Sequence, residues 1–334
     1  MTPLVYGGGH IAHSLVATIS QLQPVIVVTR KPELWANRVS MLQGECTFSG
    51  KFDVFATSDP EVATDSDVIF IALPQFAFED AVHRLLPFIH AGQNICFVPA
   101  PAKSKEYAEL ILTTGARVAA FQRVPFIART IKYGNSVAVS SPRSELALMT
   151  SNPHMKAFMD TCCKQWFGSQ VRYLSSFLIA AFSNSNPLLH PSRLVELFKN
   201  WNGTPYEAAP LFYADWTDES SILYISADRE MASAMRCYEE IDFEHDYRDV
   251  LTHYNVGNYK ELTRKIRSIP SFVNIKSPLL KSGGGWIPDV TSRYFTEDVP
   301  FGTRTIQEYA RRVGVKTPTI DFLIQRVEAV VQRV

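Results

Sequence analysis

The start of the chain constrains the fold more than any other stretch. The apolar run Pro3-Leu4-Val5-Tyr6 leads into Gly7-Gly8-Gly9-His10-Ile11-Ala12, which fits G-x-G-x-x-A. A strand-like run, a glycine turn and a helical pattern from Ile11 form the junction that holds a dinucleotide pyrophosphate. Gly7 permits the tight turn, and Gly9 lets the backbone approach the phosphates. Ala12 lets the helix pack closely on the sheet, and the helix N-terminus favours the negative charge. Three glycines in a row elsewhere would read as a flexible turn; here Gly7, Gly8, Gly9, His10, Ile11 and Ala12 are expected to contact the cofactor.

The rest of the first half supports that junction. PLVYG, PVIVVTR, DVIFIALP and NICFVPAP are continuous apolar runs, as expected of strands buried on both faces. Helical patterns separate them at Ile11–Leu22, Phe76–Phe88 and Lys105–Thr114, and shorter strands are expected near Arg117–Phe121, Ser136–Ser140 and Val171–Leu174. Strand-helix-strand order with buried strands predicts right-handed crossovers and a doubly wound, Rossmann-like parallel sheet.

The second strand bears on the choice of dinucleotide. An NAD site usually carries an acidic residue near this strand's end, for the ribose hydroxyls. Here the strand ends Val27-Val28-Thr29-Arg30-Lys31, with no acid before Glu33. Two cations stand where a 2′-phosphate would lie, so NADPH is expected in preference to NADH, with Arg38 a further candidate contact. Read without a ligand, Arg30 and Lys31 are solvated loop charges. Leu73-Pro74-Gln75 follows the DVIFIALP strand at its carboxyl end, where open α/β sheets bind ligands. Leu73 and Pro74 either line the nicotinamide ribose or simply end a strand.

Past residue 174 strand-like runs give way to helical periods, so the expected domains are 1–174, a dinucleotide-binding domain, and 175–334, an all-α substrate and catalytic domain. Tyr259, Leu262, Ile266 and Ile269 share a helix face, and Ile320, Leu323, Ile324, Val327 and Val331 another. Thr217 before Asp218 and Glu219 reads as a helix start. From Ser268 to Thr303 the pattern fails, and so long a connection is usually functional or disordered.

Composition narrows the partners. Lys+Arg and Asp+Glu number 33 each in 334 residues, and the pI is about 7.1. That balance offers no attraction to nucleic acid or an anionic membrane, so small-molecule substrates are expected. A homodimer is compatible with these features. No apolar run is long enough to span a bilayer, and the start lacks a signal-peptide pattern. Five cysteines with no C-x-x-C spacing fit a reduced, cytoplasmic setting, and no metal site is expected.

Of eight histidines, His190 has the most distinctive surroundings: Ser183-Asn184-Ser185-Asn186-Pro187-Leu188-Leu189-His190-Pro191. Asn186 and His190 are four apart and share a face if the segment is helical. The two prolines are expected to kink or break that helix. A second polar cluster, Arg293-Tyr294-Phe295-Thr296-Glu297-Asp298-Val299-Pro300-Phe301-Gly302, closes the irregular segment. Taken alone, an Arg/Asp pair is usually a surface ion pair.

With Arg123-Val124-Pro125-Phe126-Ile127-Ala128-Arg129 and Gly314-Val315-Lys316-Thr317-Pro318-Thr319-Ile320-Asp321, these segments resemble the opine dehydrogenases, including the octopine, nopaline and metallophore-type enzymes. The resemblance implies a Rossmann domain joined to a helical one. It implies NAD(P)-dependent reductive condensation of a 2-oxo acid, pyruvate-like, with the amine of an amino acid or related compound. It aligns His190 with the catalytic histidine, Asp298 with its carboxylate partner, Arg293 with the arginine that holds the substrate carboxylate, and Asn186 and Arg129 with substrate-contacting residues. A carboxylate beside a histidine orients the ring and keeps a proton available, and a guanidinium binds a carboxylate in bidentate fashion. The chain is shorter than many family members, and Lys281-Ser282-Gly283-Gly284-Gly285-Trp286 departs from the family pattern, which bears on the amine pocket. Two alternatives stay open: an NADPH-dependent 2-oxo acid reductase using no amine, similar to ketopantoate reductases, and a non-catalytic NADP(H)-binding sensor.

Overall fold

The computed structural model describes residues 1–140 and 142–334 and divides into two compact units, Met1–Ser183 and Asn184–Val334.

The first unit contains strands β1 (Pro3–Tyr6), β2 (Val25–Val28), β3 (Ser40–Gln43), β4 (Cys46–Ser49), β5 (Val54–Thr57), β6 (Val68–Ile71), β7 (Asn94–Phe97), β8 (Arg117–Phe121), β9 (Ala128–Lys132), β10 (Ser136–Val139), β11 (Glu145–Thr150) and β12 (Gln170–Tyr173). Its helices are α1 (His10–Ile19), α2 (Phe78–Leu85), α3 (Ser104–Leu112), α4 (Pro153–Cys162) and α5 (Phe177–Phe182). Eight strands form the main sheet in the order β12-β11-β8-β7-β6-β1-β2-β5. All neighbours are parallel except β8 and β11. The four apolar runs are β1, β2, β6 and β7, and every residue of β6 and β7 is buried. Such strands leave no polar face for solvent, which is why the sheet is covered on both sides.

One cover is not a helix. Strands β4-β3-β10-β9 form a second sheet, and α1 packs both against its strands β3, β9 and β10 and against β1 and β2 of the main sheet. That placement buries α1 from Ala12 to Ile19. The sequence patterns do not reveal β3 and β4, because β4 is exposed throughout and β3 buries only Met41. Helix α5 lies with the first unit because Phe177–Phe182 packs on α3, β8 and β11.

The second unit is helical: α6 (Asn186–Leu197), α7 (Asp218–Met235), α8 (Phe243–Asp246), α9 (Val250–Tyr254), α10 (Tyr259–Ser268), α11 (Arg304–Arg312) and α12 (Pro318–Val331). Thr217 caps α7, its hydroxyl accepting from Ser220 N–H at 3.1 Å. The segment 268–303 is not structureless. It contains a hairpin of β13 (Leu279–Ser282) and β14 (Gly285–Pro288), then a π-helical stretch, Tyr294–Thr303. Gly283 and Gly284 turn the hairpin at φ 57° and 85°, which accounts for the glycine run there. Among the described residues no helix is long and apolar enough to cross a membrane.

Candidate active site

The glycine loop lies between β1 and α1 and has the form an anion requires. Gly7 has φ +143°, and a Cβ there would run into the Ala72 carbonyl at the end of β6. Gly9 faces open space. It precedes a helix with no side-chain cap and no acid in its first turn, so the first N–H groups of α1 are left for a ligand. The residues present therefore fit a dinucleotide pyrophosphate. Ala12 is fully buried and Ile11 packs against the core, so these two shape the loop from behind.

Two histidines fasten this loop to the second sheet, a contact no sequence pattern shows. His10 Nδ1 accepts from Thr130 N–H of β9 at 3.0 Å. His13 is wholly buried. Its Nδ1 donates to the Gly9 carbonyl at 2.8 Å, and its Nε2 accepts from Gly134 N–H, in the β9–β10 turn, at 2.6 Å. Those partners require a neutral ring, and burial holds its pKa below the usual histidine value. Trp35 stacks on the ring at 4.4 Å.

At the end of β2, Thr29 is buried, its hydroxyl 3.1 Å from that of Tyr133. Arg30 and Lys31 are exposed, with no ion-pair partner among the described residues. Arg38 is engaged elsewhere, paired to Asp53 at 3.0 Å and donating to the Gly50 carbonyl at 3.2 Å. Leu73 and Pro74 follow β6 half-buried, and Gln75 accepts from Ala102 N–H at 2.9 Å. Arg129 lies in β9 with its side chain exposed, next to Thr130, which meets His10.

The second unit assembles the histidine cluster. Helix α6 continues from Asn186 through Pro191 to Leu197, so the two prolines do not break it. Pro187 occupies the first turn, where no N–H is required. Pro191 removes the bond that would satisfy the Pro187 carbonyl, and Thr303 Oγ1 replaces it, donating at 2.6 Å. Gly302 allows the approach, since a Cβ there would meet the Pro187 ring at 2.7 Å. Thr303 Oγ1 also lies 3.1 Å from the Asp298 carbonyl. The prolines thus dock the π-helical stretch against α6 and bring Asp298 to His190.

His190 Nδ1 lies 2.7 Å from Asp298 Oδ2, with both residues buried, at 4% and 9% exposure. His190 Nε2 lies 2.8 Å from the Tyr213 hydroxyl, a partner absent from the sequence reading. Tyr294 packs edge-on to the imidazole at 4.6 Å. Asn186, one turn before His190, is half-buried. Arg293 is exposed with no ion-pair partner among the described residues, and its charge acts on the Tyr213 phenol. A buried imidazole–carboxylate pair can exchange protons with a ligand, and an unpaired guanidinium can hold a ligand carboxylate.

Residues 173–331 match the family model for the alpha-helical domain of NAD/NADP octopine/nopaline dehydrogenase. A tauropine dehydrogenase from Arabella iricolor is 26% identical over 96% of this chain and 89% of its own length. An octopine dehydrogenase structure in complex with NADH and agmatine superposes with a TM-score of 0.86 at 23% identity, covering 99% of this chain and 90% of that one. A yersinopine dehydrogenase bound to NADP+ superposes at 0.72 with 12% identity, covering 99% and 91%. The helical-domain match takes in both the Asn186–Pro191 and the Arg293–Gly302 segments, and the likeness to these relatives runs through both units: residues 173–331 match the octopine/nopaline dehydrogenase alpha-helical domain, and the chain along its length is similar to opine dehydrogenases, NAD(P)-dependent oxidoreductases acting on CH–NH bonds.

Proposed function

We propose that this protein is an NADPH-preferring opine dehydrogenase of the cytoplasm that condenses a pyruvate-like 2-oxo acid with the amine of an amino acid or related compound. The observation that carries this reading is the buried His190–Asp298 pair at 2.7 Å, with Tyr213, on which the Arg293 charge acts, at its other ring nitrogen. The relatives are consistent with it: one is named tauropine dehydrogenase, and another is described with NADH and agmatine.

Gly7, Gly8, Gly9 and the first turn of α1 hold the pyrophosphate, and Arg30 and Lys31 receive the 2′-phosphate. The bound nicotinamide supplies the hydride that reduces a C=N bond. Arg293 holds the 2-oxo acid by its carboxylate in a bidentate grip, and Asn186 orients it. As the amine adds to the keto carbon and water leaves, nitrogen loses two protons and oxygen gains two. His190 carries them at Nε2, while Asp298 holds the ring by Nδ1. Arg129 is a further substrate contact in this reading. The products are opines, metallophore-type ones included.

The test follows NADPH oxidation with pooled 2-oxo acids, with and without pooled amino acids and polyamines. NADH runs in parallel, and products are identified by mass spectrometry. The expected result is oxidation that requires both pools and yields a secondary amine. Oxidation with oxo acids alone makes the protein a simple reductase, and tight NADPH binding without turnover makes it a binding protein.

A further inference from the structure

Neither nitrogen of the His190 ring is free. Nδ1 is taken by Asp298 at 2.7 Å and Nε2 by the Tyr213 hydroxyl at 2.8 Å. Phe212 and Tyr294 cover the ring at 5.7 and 4.6 Å. A carboxylate can only accept, so in the neutral ring the proton sits on Nδ1 and Tyr213 donates to Nε2. Burial keeps that phenol protonated, well above the ordinary tyrosine range. A proton passing between Nε2 and a substrate meets the Tyr213 hydroxyl first.

Tyr213 is also held against stepping aside. Its ring stacks on Phe272 at 4.2 Å and 18°. Arg193, buried three residues beyond His190 on α6, donates from Nε to the Phe212 carbonyl at 2.9 Å. The Leu211 N–H donates to Asp215 at 2.7 Å. Helix α6 therefore carries the imidazole and, through Arg193, fixes the loop whose phenol caps it. The ionisable groups around the pair are Asp298, Arg293 and Tyr294 from the segment after β14, and Tyr254 from α9. Among these groups the cation is Arg293, the proposed anchor of the substrate carboxylate.

We propose that Tyr213 is a second catalytic residue, whose hydroxyl touches the reacting oxygen of the substrate and relays protons between it and His190 Nε2. The inference rests on the reading of His190 as the acid–base group. In the donating step the phenolic O–H bond breaks as its proton passes to the carbinolamine oxygen. The Nε2–H bond of the imidazolium breaks as a new O–H forms on Tyr213. Water leaves, the imidazole is neutral, and a proton from the amine nitrogen returns by the same hydroxyl to Nε2. No group changes oxidation state in this exchange.

Tyr213→Phe keeps the ring and removes only the hydroxyl. The expected result is a kcat lowered roughly 100-fold or more, in a variant that still folds and whose NADPH dissociation constant is unchanged. In mixed H2O/D2O, kcat of the parent should bow with deuterium content, as for two protons in flight, and that of the variant should be linear. A Tyr213→Phe kcat within about threefold of the parent overturns the relay. His190→Ala, run alongside, separates the two failures. An inactive His190→Ala with an active Tyr213→Phe sinks the relay alone, whereas an active His190→Ala sinks the acid–base reading beneath it. Should the phenylalanine variant not fold, 3,5-difluorotyrosine at 213 keeps the hydroxyl and acidifies it. A kcat–pH profile displaced toward acid supports the relay, and an unmoved profile overturns it.

Discussion

The hydroxyl of Thr303 donates to the carbonyl of Pro187 at 2.6 Å, supplying the bond that Pro191 cannot make. The same hydroxyl lies 3.1 Å from the Asp298 carbonyl, so one side chain ties the segment of Asp298 to the helix that bears His190. Thr303→Val keeps the shape and strands a buried carbonyl, which should cost about 1–3 kcal/mol of stability. Turnover should fall with it, and Thr303→Ser should restore both. A valine variant as stable and as fast as the parent would remove the latch from the account.

His13 gives the cofactor loop an acid limit. Its Nε2 accepts from Gly134 N–H, and burial lowers its pKa from the ordinary value of 6.5. The unfolded chain therefore binds a proton at a pH where the folded one does not, and stability rises with pH in that window. The contribution is complete above about pH 6.5 and is lost as pH falls through the lowered folded value. Thermal midpoints measured from pH 7.5 down to pH 5 should fall for the parent and fall less steeply for His13→Asn. Identical slopes would mean that His13 does not titrate in folding.

Arg293 has an exposed guanidinium without an ion-pair partner among the described residues. Arg293→Ala should raise KM for the 2-oxo acid roughly tenfold or more, the worth of about 1.5 kcal/mol for a charge-assisted bond. Arg293→Lys should recover only part of this, because an ammonium cannot form the forked pair. If the amine KM rose instead, Arg293 would belong to the other substrate.

Arg30 and Lys31 stand exposed at the end of β2. The Arg30→Ala/Lys31→Ala double variant should raise the NADPH dissociation constant roughly tenfold or more and leave that of NADH near its parental value. Equal losses for both cofactors would withdraw the NADPH preference.

Some of this protein was determined by local sequence alone. Buried parallel strands need continuous apolar residues, so β1, β2, β6 and β7 are legible in the chain. The glycine junction is likewise a local requirement of one tight turn, met by Gly7 at φ +143°. The Thr217 cap and the acids behind it marked α7 for the same reason. The His190 and Arg293 segments were visible as polar clusters interrupting apolar patterns.

Tertiary structure decided the rest, because the deciding contacts join residues far apart in the chain. Strand β4 has no buried face to leave a pattern and exists through pairing with β3. His13 reaches Gly134 across 121 positions, and no period in the sequence links them. Pro191 reads as a helix breaker until Thr303, 116 positions from Pro187, is seen to supply the missing hydrogen bond. Tyr213 was one aromatic among many until the fold set its hydroxyl on Nε2 of His190. Local composition sets which elements form, whereas satisfying buried polar groups sets which distant side chains must meet.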